Sequence, residues 1–242
     1  MKLRVGGILD MSTVDYPGKV SSVIFLHGCN FRCPFCYNTK LVEGDEYTEM
    51  SVDGIMRELK EDSDFIDAVC ITGGEPTLQF DGLLELCRSI KSAGKLVKLD
   101  TNGYLPEKLG KILDEKVVDF VSMDIKAPPV KYSKMSGIEP DLSRIERSIG
   151  LLKDSGVNYE LRTTLVMDYN DTEDDLSGIC DFIGIPMSYV LQQFRGSEGT
   201  LDKSLSSLPK TDRQKLIRLA GLVRKRGINV KIRTEEEGEE TV

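Results

Sequence analysis

Residues 20–38 read VSSVIFLHGCNFRCPFCYN. The apolar run Val20–Leu26 has the length and composition of a buried strand, and it empties into a polar loop carrying Cys29, Cys33 and Cys36. The spacing C-x3-C-x2-C puts three thiols on one short loop, a soft metal site with one protein ligand missing. Structural zinc takes four protein ligands, and a closed [4Fe–4S] cluster takes four cysteines. A site that stops at three leaves a coordination position for something else, so the loop favours an iron–sulfur cluster with one open iron. His27 offers an alternative, a Cys3His zinc knuckle, although a single residue separates it from Cys29. A disulfide finds no support, because nothing else points to an oxidising compartment. Cys70, Cys87 and Cys180 stand singly in apolar stretches and read as small buried hydrophobes.

Outward from that loop, short apolar runs alternate with amphipathic ones. After Val20–Leu26, strands are expected at Ala68–Thr72, Leu96–Leu99, Phe120–Ile125, Tyr159–Val166 and Tyr189–Gln193. Helices are expected over Ser51–Glu61, Asp81–Ala93, 105–115, 142–155 and 172–183. A last helix opens at a capping box from Thr211 to Gln214 and stops at Gly227. Six successive β-then-α units predict an α/β fold with a parallel sheet, a partial (β/α)6 barrel of the TIM type with small terminal additions. Ligands of such sheets gather at the carboxyl ends of the strands. The polar motifs fall there: Cys29 after the first strand, Gly73-Gly74-Glu75-Pro76 after the second, Asp100-Thr101-Asn102-Gly103 after the third, and Asp124-Ile125-Lys126 after the fourth. Arg162 lies within the fifth, and Gln192-Gln193-Phe194 ends the sixth.

The chain has 242 residues, 40% of them apolar, and a formal net charge of −8. Residues 234–242, TEEEGEETV, hold five glutamates and no base, which leaves −3 for the rest. One core domain is expected over 1–233, followed by a disordered acidic tail. Dispersed basic residues on a near-neutral body give no footprint for nucleic acid. No apolar run approaches the roughly eighteen residues of a membrane span, and MKLRVGGILD lacks a signal-peptide core, so a cytoplasmic protein is expected.

Two glycines after a strand let a ligand approach the backbone, and Glu75 adds a carboxylate suited to an ammonium group; a tight turn is the structural alternative. Asp124 and Lys126, two apart, would face one way on a strand, lining a site or forming an interior ion pair. Asp100 and Thr101 are hard oxygen ligands for a small cation, or turn residues. Phe35 offers a flat apolar face to an aromatic ligand, or packs in the core.

The three-cysteine loop with Phe35 before its last cysteine, followed in order by GGEP, DTNG and DIK, resembles the radical S-adenosylmethionine (SAM) superfamily. The stretch TVDYPGKVSSVIFLHGCNFRCPFCYN, residues 13–38, sharpens the likeness to activases of glycyl radical enzymes, in particular the activating proteins of anaerobic ribonucleoside-triphosphate reductase. The resemblance runs from about Ile8 to about Gly227. It implies that Cys29, Cys33 and Cys36 hold a [4Fe–4S] cluster whose fourth iron is chelated by SAM. Phe35 and Tyr37 would flank the cofactor, Gly73, Gly74 and Glu75 would bind its amino group, and Asp124, Ile125 and Lys126 would line its ribose and carboxylate side. A monovalent cation would sit on Asp100, Thr101 and Asp124 with the Ser122 carbonyl. Asp15 and Arg162 match positions that meet the partner's glycine-bearing loop. The implied chemistry is reductive cleavage of SAM to a 5′-deoxyadenosyl radical and glycyl radical formation on an anaerobic partner, with a flavodoxin- or ferredoxin-type electron donor. The chain departs from the pattern at Tyr37 and Phe194, where many activases carry histidine. His27 is expected to pack or support the loop rather than to catalyse.

Three other functions compete. A small-molecule radical SAM enzyme resembling the 7-carboxy-7-deazaguanine synthases would often carry a longer insertion between the cluster cysteines. A peptide-maturing radical enzyme with auxiliary clusters would need further cysteine groups, and Cys180 stands alone. A non-catalytic iron–sulfur carrier would close its cluster with a fourth cysteine.

Overall fold

The computed structural model describes residues 1–59, 65–196 and 199–242. Strands β1 (Lys2–Ser12), β2 (Ser21–Leu26) and β3 (Thr48–Ser51) are followed by β4 (Ala68–Gly73), β5 (Leu96–Thr101), β6 (Phe120–Asp124), β7 (Asn158–Leu165), β8 (Tyr189–Gln193), β9 (Val230–Thr234) and β10 (Gly238–Thr241). The helices are α1 (Thr39–Glu43), α2 (Val52–Glu58), α3 (Phe80–Ser92), α4 (Pro106–Asp114), α5 (Tyr132–Ser136), α6 (Leu142–Ser155), α7 (Glu173–Ile183) and α8 (Arg213–Lys225). One sheet runs in the order β10-β9-β8-β7-β6-β5-β4-β2-β1-β3. From β2 to β9 all neighbours are parallel, with β1, β3 and β10 antiparallel at the edges. The sheet is open, so the six expected strands form part of a barrel, to which β9 adds a seventh parallel strand.

Helix α3 shows why the crossovers pack outside. Leu83, Leu86, Cys87 and Ile90 recur at helical spacing and are all fully buried. Burying such an aliphatic side chain contributes roughly 2 kcal/mol. The opposite face of the sheet alternates with this one, and its first layer is a separate apolar floor of Tyr16, Val23, Ala68 and Cys70, against which Phe120 packs. Cys87 and Cys180 also lie buried, as expected of isolated cysteines.

Some expectations need correction. The end of the helix expected over Ser51–Glu61 lies outside the described residues. Helix α8 is capped by Asp212, whose side chain accepts the Lys215 N–H at 2.9 Å, and not by a box from Thr211. Thr211 is instead buried, and its hydroxyl donates to the Leu165 carbonyl. The acidic end is not a disordered tail: β10 pairs antiparallel with β9. Its glutamates find cations on neighbouring elements, Glu239 with Lys231 at 2.7 Å and Arg233 at 2.6 Å, and Glu240 with Arg213. A run of like charge folds here because the opposite charge waits on the adjacent strand and helix.

Candidate functional site

The loop between β2 and α1 is pinned from both sides. Arg32 N–H donates to Ser136 O at 2.8 Å, while Leu201 and Asp202 N–H groups donate to the Cys36 and Pro34 carbonyls, each at 2.9 Å. Its three thiols are free and all face one cavity of about 550 Å³ at the carboxyl end of the sheet. Burial pushes the Cys29 thiol up to about 11 and that of Cys33 to about 12, and raises Cys36 as well. Metal uptake by these thiols would release their protons. Among the described residues, no three His, Cys, Asp or Glu are grouped to hold a single metal ion; a cluster distributes its thiolates over several irons and asks for no such grouping. His27 is not on the cavity: its Nε2 meets Gly44 O at 2.6 Å, and its ring packs on Tyr47.

Gly73 and Gly74 form one edge of the cavity by pressing against the exit of β2. Gly74 N–H donates to Leu26 O at 2.8 Å and Glu75 N–H to Gly28 O at 2.7 Å. A Cβ on Gly74 would overlap the Gly28 carbonyl, and Gly73 has φ of +120°. Only glycine allows this approach.

Glu75 does not face the cavity, which corrects its expected role as an ammonium acceptor. It is fully buried, and its Oε1 accepts from Thr77 N–H at 3.1 Å, the Thr77 hydroxyl at 2.5 Å and the Thr101 hydroxyl at 2.8 Å. Its Oε2 accepts the Asn102 N–H at 2.7 Å. Burial raises this carboxyl while the four donors oppose the shift. Glu75 is thus a clasp between the turns after β4 and β5. Ile125 is also corrected: its side chain is buried in the core, and its backbone N–H donates to Arg162 O at 2.7 Å.

Phe35, Tyr37, Asp15, Asp100, Thr101, Asp124, Lys126 and Arg162 do line the cavity. The register explains the convergence, since Asp100 pairs with Ser122 and Asp124 with Arg162 across parallel strands. Lys126 Nζ lies 5.9 Å from the Phe35 ring centre and 3.1 Å from Asp124 Oδ2. Arg162 bridges both aspartates, Nε to Asp124 Oδ1 at 2.9 Å and Nη1 to Asp100 Oδ2 at 3.2 Å. Burial alone would raise the Asp100 carboxyl, yet Arg162 and Lys98 hold it down at about 2. Asp124 is likewise lowered against burial by Arg162 and Lys126. Burial would lower Lys126, but Asp124 holds it well above the ordinary lysine range. Asp15 accepts a hydrogen bond from the Ser12 hydroxyl at 2.5 Å. Phe194 is fully buried and lies off the cavity.

Sequence reasoning missed Asn102 and Lys98. Asn102 Nδ2 donates to Asn30 Oδ1 at 2.8 Å, tying the β5 turn to the cysteine loop. Its signal was present in DTNG but carried no partner. Lys98, 2% exposed, pairs with Asp100.

The family profile of the radical SAM superfamily matches residues 23–183. The chain belongs to the radical SAM superfamily. A Methanocaldococcus jannaschii protein named as a glycyl-radical enzyme activating enzyme is 38% identical over 97% of both chains. The pyruvate formate-lyase-activating enzyme of Listeria monocytogenes is 31% identical over 74% of this chain and 75% of its own. Among solved structures, a radical SAM methyltransferase from Sphaerobacter thermophilus superposes with a TM-score of 0.69 at 15% identity, over 90% of this chain and 67% of that one. The sequence relatives of this radical SAM enzyme include proteins named as activating enzymes, and its fold is shared more widely. Membership implies a [4Fe–4S] cluster and SAM. The residues present fit them: three unpaired thiols on one wall, and glycine backbone, Phe35 and Lys126 on the others. No helix among the described residues is long and apolar enough to cross a membrane.

Proposed function

We propose that this radical SAM protein is the activating enzyme of a glycyl radical enzyme, namely anaerobic ribonucleoside-triphosphate reductase, working in the cytoplasm with a flavodoxin- or ferredoxin-type donor. Residues 1–233 are its core domain, edged by the terminal strand. The observation that carries this reading is the single cavity shared by Cys29, Cys33 and Cys36 with Asp15 and Arg162, in a chain whose whole-length relative bears the activating-enzyme name. The choice of reductase rests on the likeness of residues 13–38.

Cys29, Cys33 and Cys36 would hold the [4Fe–4S] cluster, which when reduced would supply one-electron cleavage of SAM and so the means to take a hydrogen atom from one glycine of the partner. The chain's own residues orient and exclude. Gly73 and Gly74 present backbone to the methionine end of SAM, Phe35 and Tyr37 flank it, and Lys126 offers its ammonium to the carboxylate. Asp15 and Arg162, on the cavity wall, meet the glycine-bearing loop. Proximity does the remaining work, because hydrogen transfer needs the two carbons held together and water kept out.

The test is anaerobic incubation of the reduced, reconstituted protein with SAM and the reductase carrying α-deuterated glycine. A glycyl radical spectrum and deuterium in 5′-deoxyadenosine are expected. A deuterium-free product with no radical on the reductase, but a radical on pyruvate formate-lyase, would move the assignment to that partner. Silence with both would favour a small-molecule substrate.

A further inference from the structure

We propose that Lys98 is a built-in counter-ion that takes the place of a monovalent metal cation beneath the SAM site, so that the Asp100 and Asp124 carboxylates work without a bound ion. The side-chain oxygens expected to hold such an ion are already engaged by the chain itself. Asp100 Oδ1 pairs with the Lys98 ammonium, and its Oδ2 accepts from Arg162 and from the Thr72 hydroxyl, both at 3.2 Å. Asp124 Oδ1 takes Arg162 and Oδ2 takes Lys126. The Thr101 hydroxyl donates to Glu75 and accepts the Gly103 N–H at 3.1 Å, so it is turned into the clasp between turns.

Charge balance supports the same conclusion. Lys98, Lys126 and Arg162 carry three positive charges, and Asp100, Asp124 and Glu160 carry three negative ones. Glu160 stands two residues before Arg162 on β7, held by the Ser122 hydroxyl at 2.8 Å. Arg233 lies 3.7 Å from Glu160 and 2.6 Å from Glu239, a carboxylate it shares with Lys231. A further cation among these paired groups would have to displace Lys98, Arg162 or Lys126 from its carboxylate, and a buried pair broken in that way is costly. Removing Lys98 would create the deficit that a metal ion fills. Lys98 reaches its position because residues two apart on β5 share a face, and Cys70 beside it in register leaves room for a long side chain.

The test uses the full chain in potassium, sodium or tetramethylammonium chloride at equal ionic strength. The melting temperature of the metal-free protein is expected to be the same in all three salts. Lys98→Met should melt lower and recover in potassium or sodium but not in tetramethylammonium. Lys98→Gln provides a second variant if the first fails to fold, and the wild-type series decides the metal question even if neither folds. The rate of 5′-deoxyadenosine formation by the reconstituted wild type should likewise ignore cation identity. A saturable rise in wild-type melting temperature or rate with potassium or sodium would overturn the proposal. A folded Lys98 variant indifferent to all three salts would overturn the role given to Lys98. The melting measurement needs neither iron nor SAM, so its outcome stands apart from the activating-enzyme reading, on which only the rate measurement rests.

Discussion

Glu75 accepts the backbone N–H of Asn102 at 2.7 Å, and this contact joins the turns that follow two neighbouring strands. A carboxylate with four donors around it and no solvent ties this part of the rim together, because each donor would be left unsatisfied by its loss. Asn102 then passes the restraint to Asn30, next to Cys29.

Glu75→Ala should therefore destabilise the metal-free protein by about 3 kcal/mol, in line with exposing several buried donors to no partner. Glu75→Gln keeps the shape but turns an NH2 group toward a donor, and should lie between the two. Urea unfolding monitored by circular dichroism measures both. A Glu75→Gln variant as stable as wild type would show that the clasp does not depend on an acceptor at both oxygens.

Gly74→Ala should damage the cluster site more than the fold. The added Cβ meets the Gly28 carbonyl, so the chain leading into Cys29 must shift. Iron retained after reconstitution should fall by more than about half while the far-ultraviolet spectrum stays unchanged, since the strain is confined to one crossing of loops. Wild-type iron content in this variant would contradict the tight crossing.

Acid stability should report on Asp100. Its folded-state value of about 2 lies below the ordinary carboxyl value of 3.8. A depressed carboxyl contributes stability that is fully present above its unfolded value and is lost as pH falls toward its folded one. Between about pH 4 and pH 2 the wild type should lose about 2 kcal/mol from this group, with Asp124 contributing in the same direction. Asp100→Asn, less stable at neutral pH, should show a shallower fall over that window. Parallel acid limbs for the two proteins would contradict the assignment.

Deleting residues 235–242 should lower the melting temperature by roughly 3 °C, the effect of about 1 kcal/mol in a domain of this size. The deletion uncovers the edge of β9 and leaves Lys231, Arg233 and Arg213 without their glutamates. An unchanged melting temperature would mean that the hairpin adds nothing to the sheet.

The legible parts of this molecule were local. The cysteine spacing, the glycine pair after β4 and the alternation of strands with helices are written within a few residues, and the rim they form follows from parallel topology. The parts that were not legible depend on residues far apart. Strand β1 shifts register with β2 between Val5 and Gly7 and again between Leu9 and Ser12, so its alternation reads poorly alone. The glutamate run from 235 onward looks disordered until Lys231, Arg233 and Arg213 are placed beside it. Glu75 read as a ligand because its sequence shows the carboxylate and conceals the Thr101 and Asn102 donors that turn it inward. Lys98 sat unremarked in an apolar strand because its importance lies in the carboxylate layer that the fold assembles around it.

Radical SAM chemistry at this site is tested by whether the protein, reconstituted with iron and sulfide under anaerobic conditions and reduced, converts SAM to 5′-deoxyadenosine. About four irons per chain, the content of one [4Fe–4S] cluster, are expected, together with product that disappears in Cys33→Ala. A protein that binds its iron yet forms no product, or that takes up zinc tightly and no cluster, would contradict that chemistry.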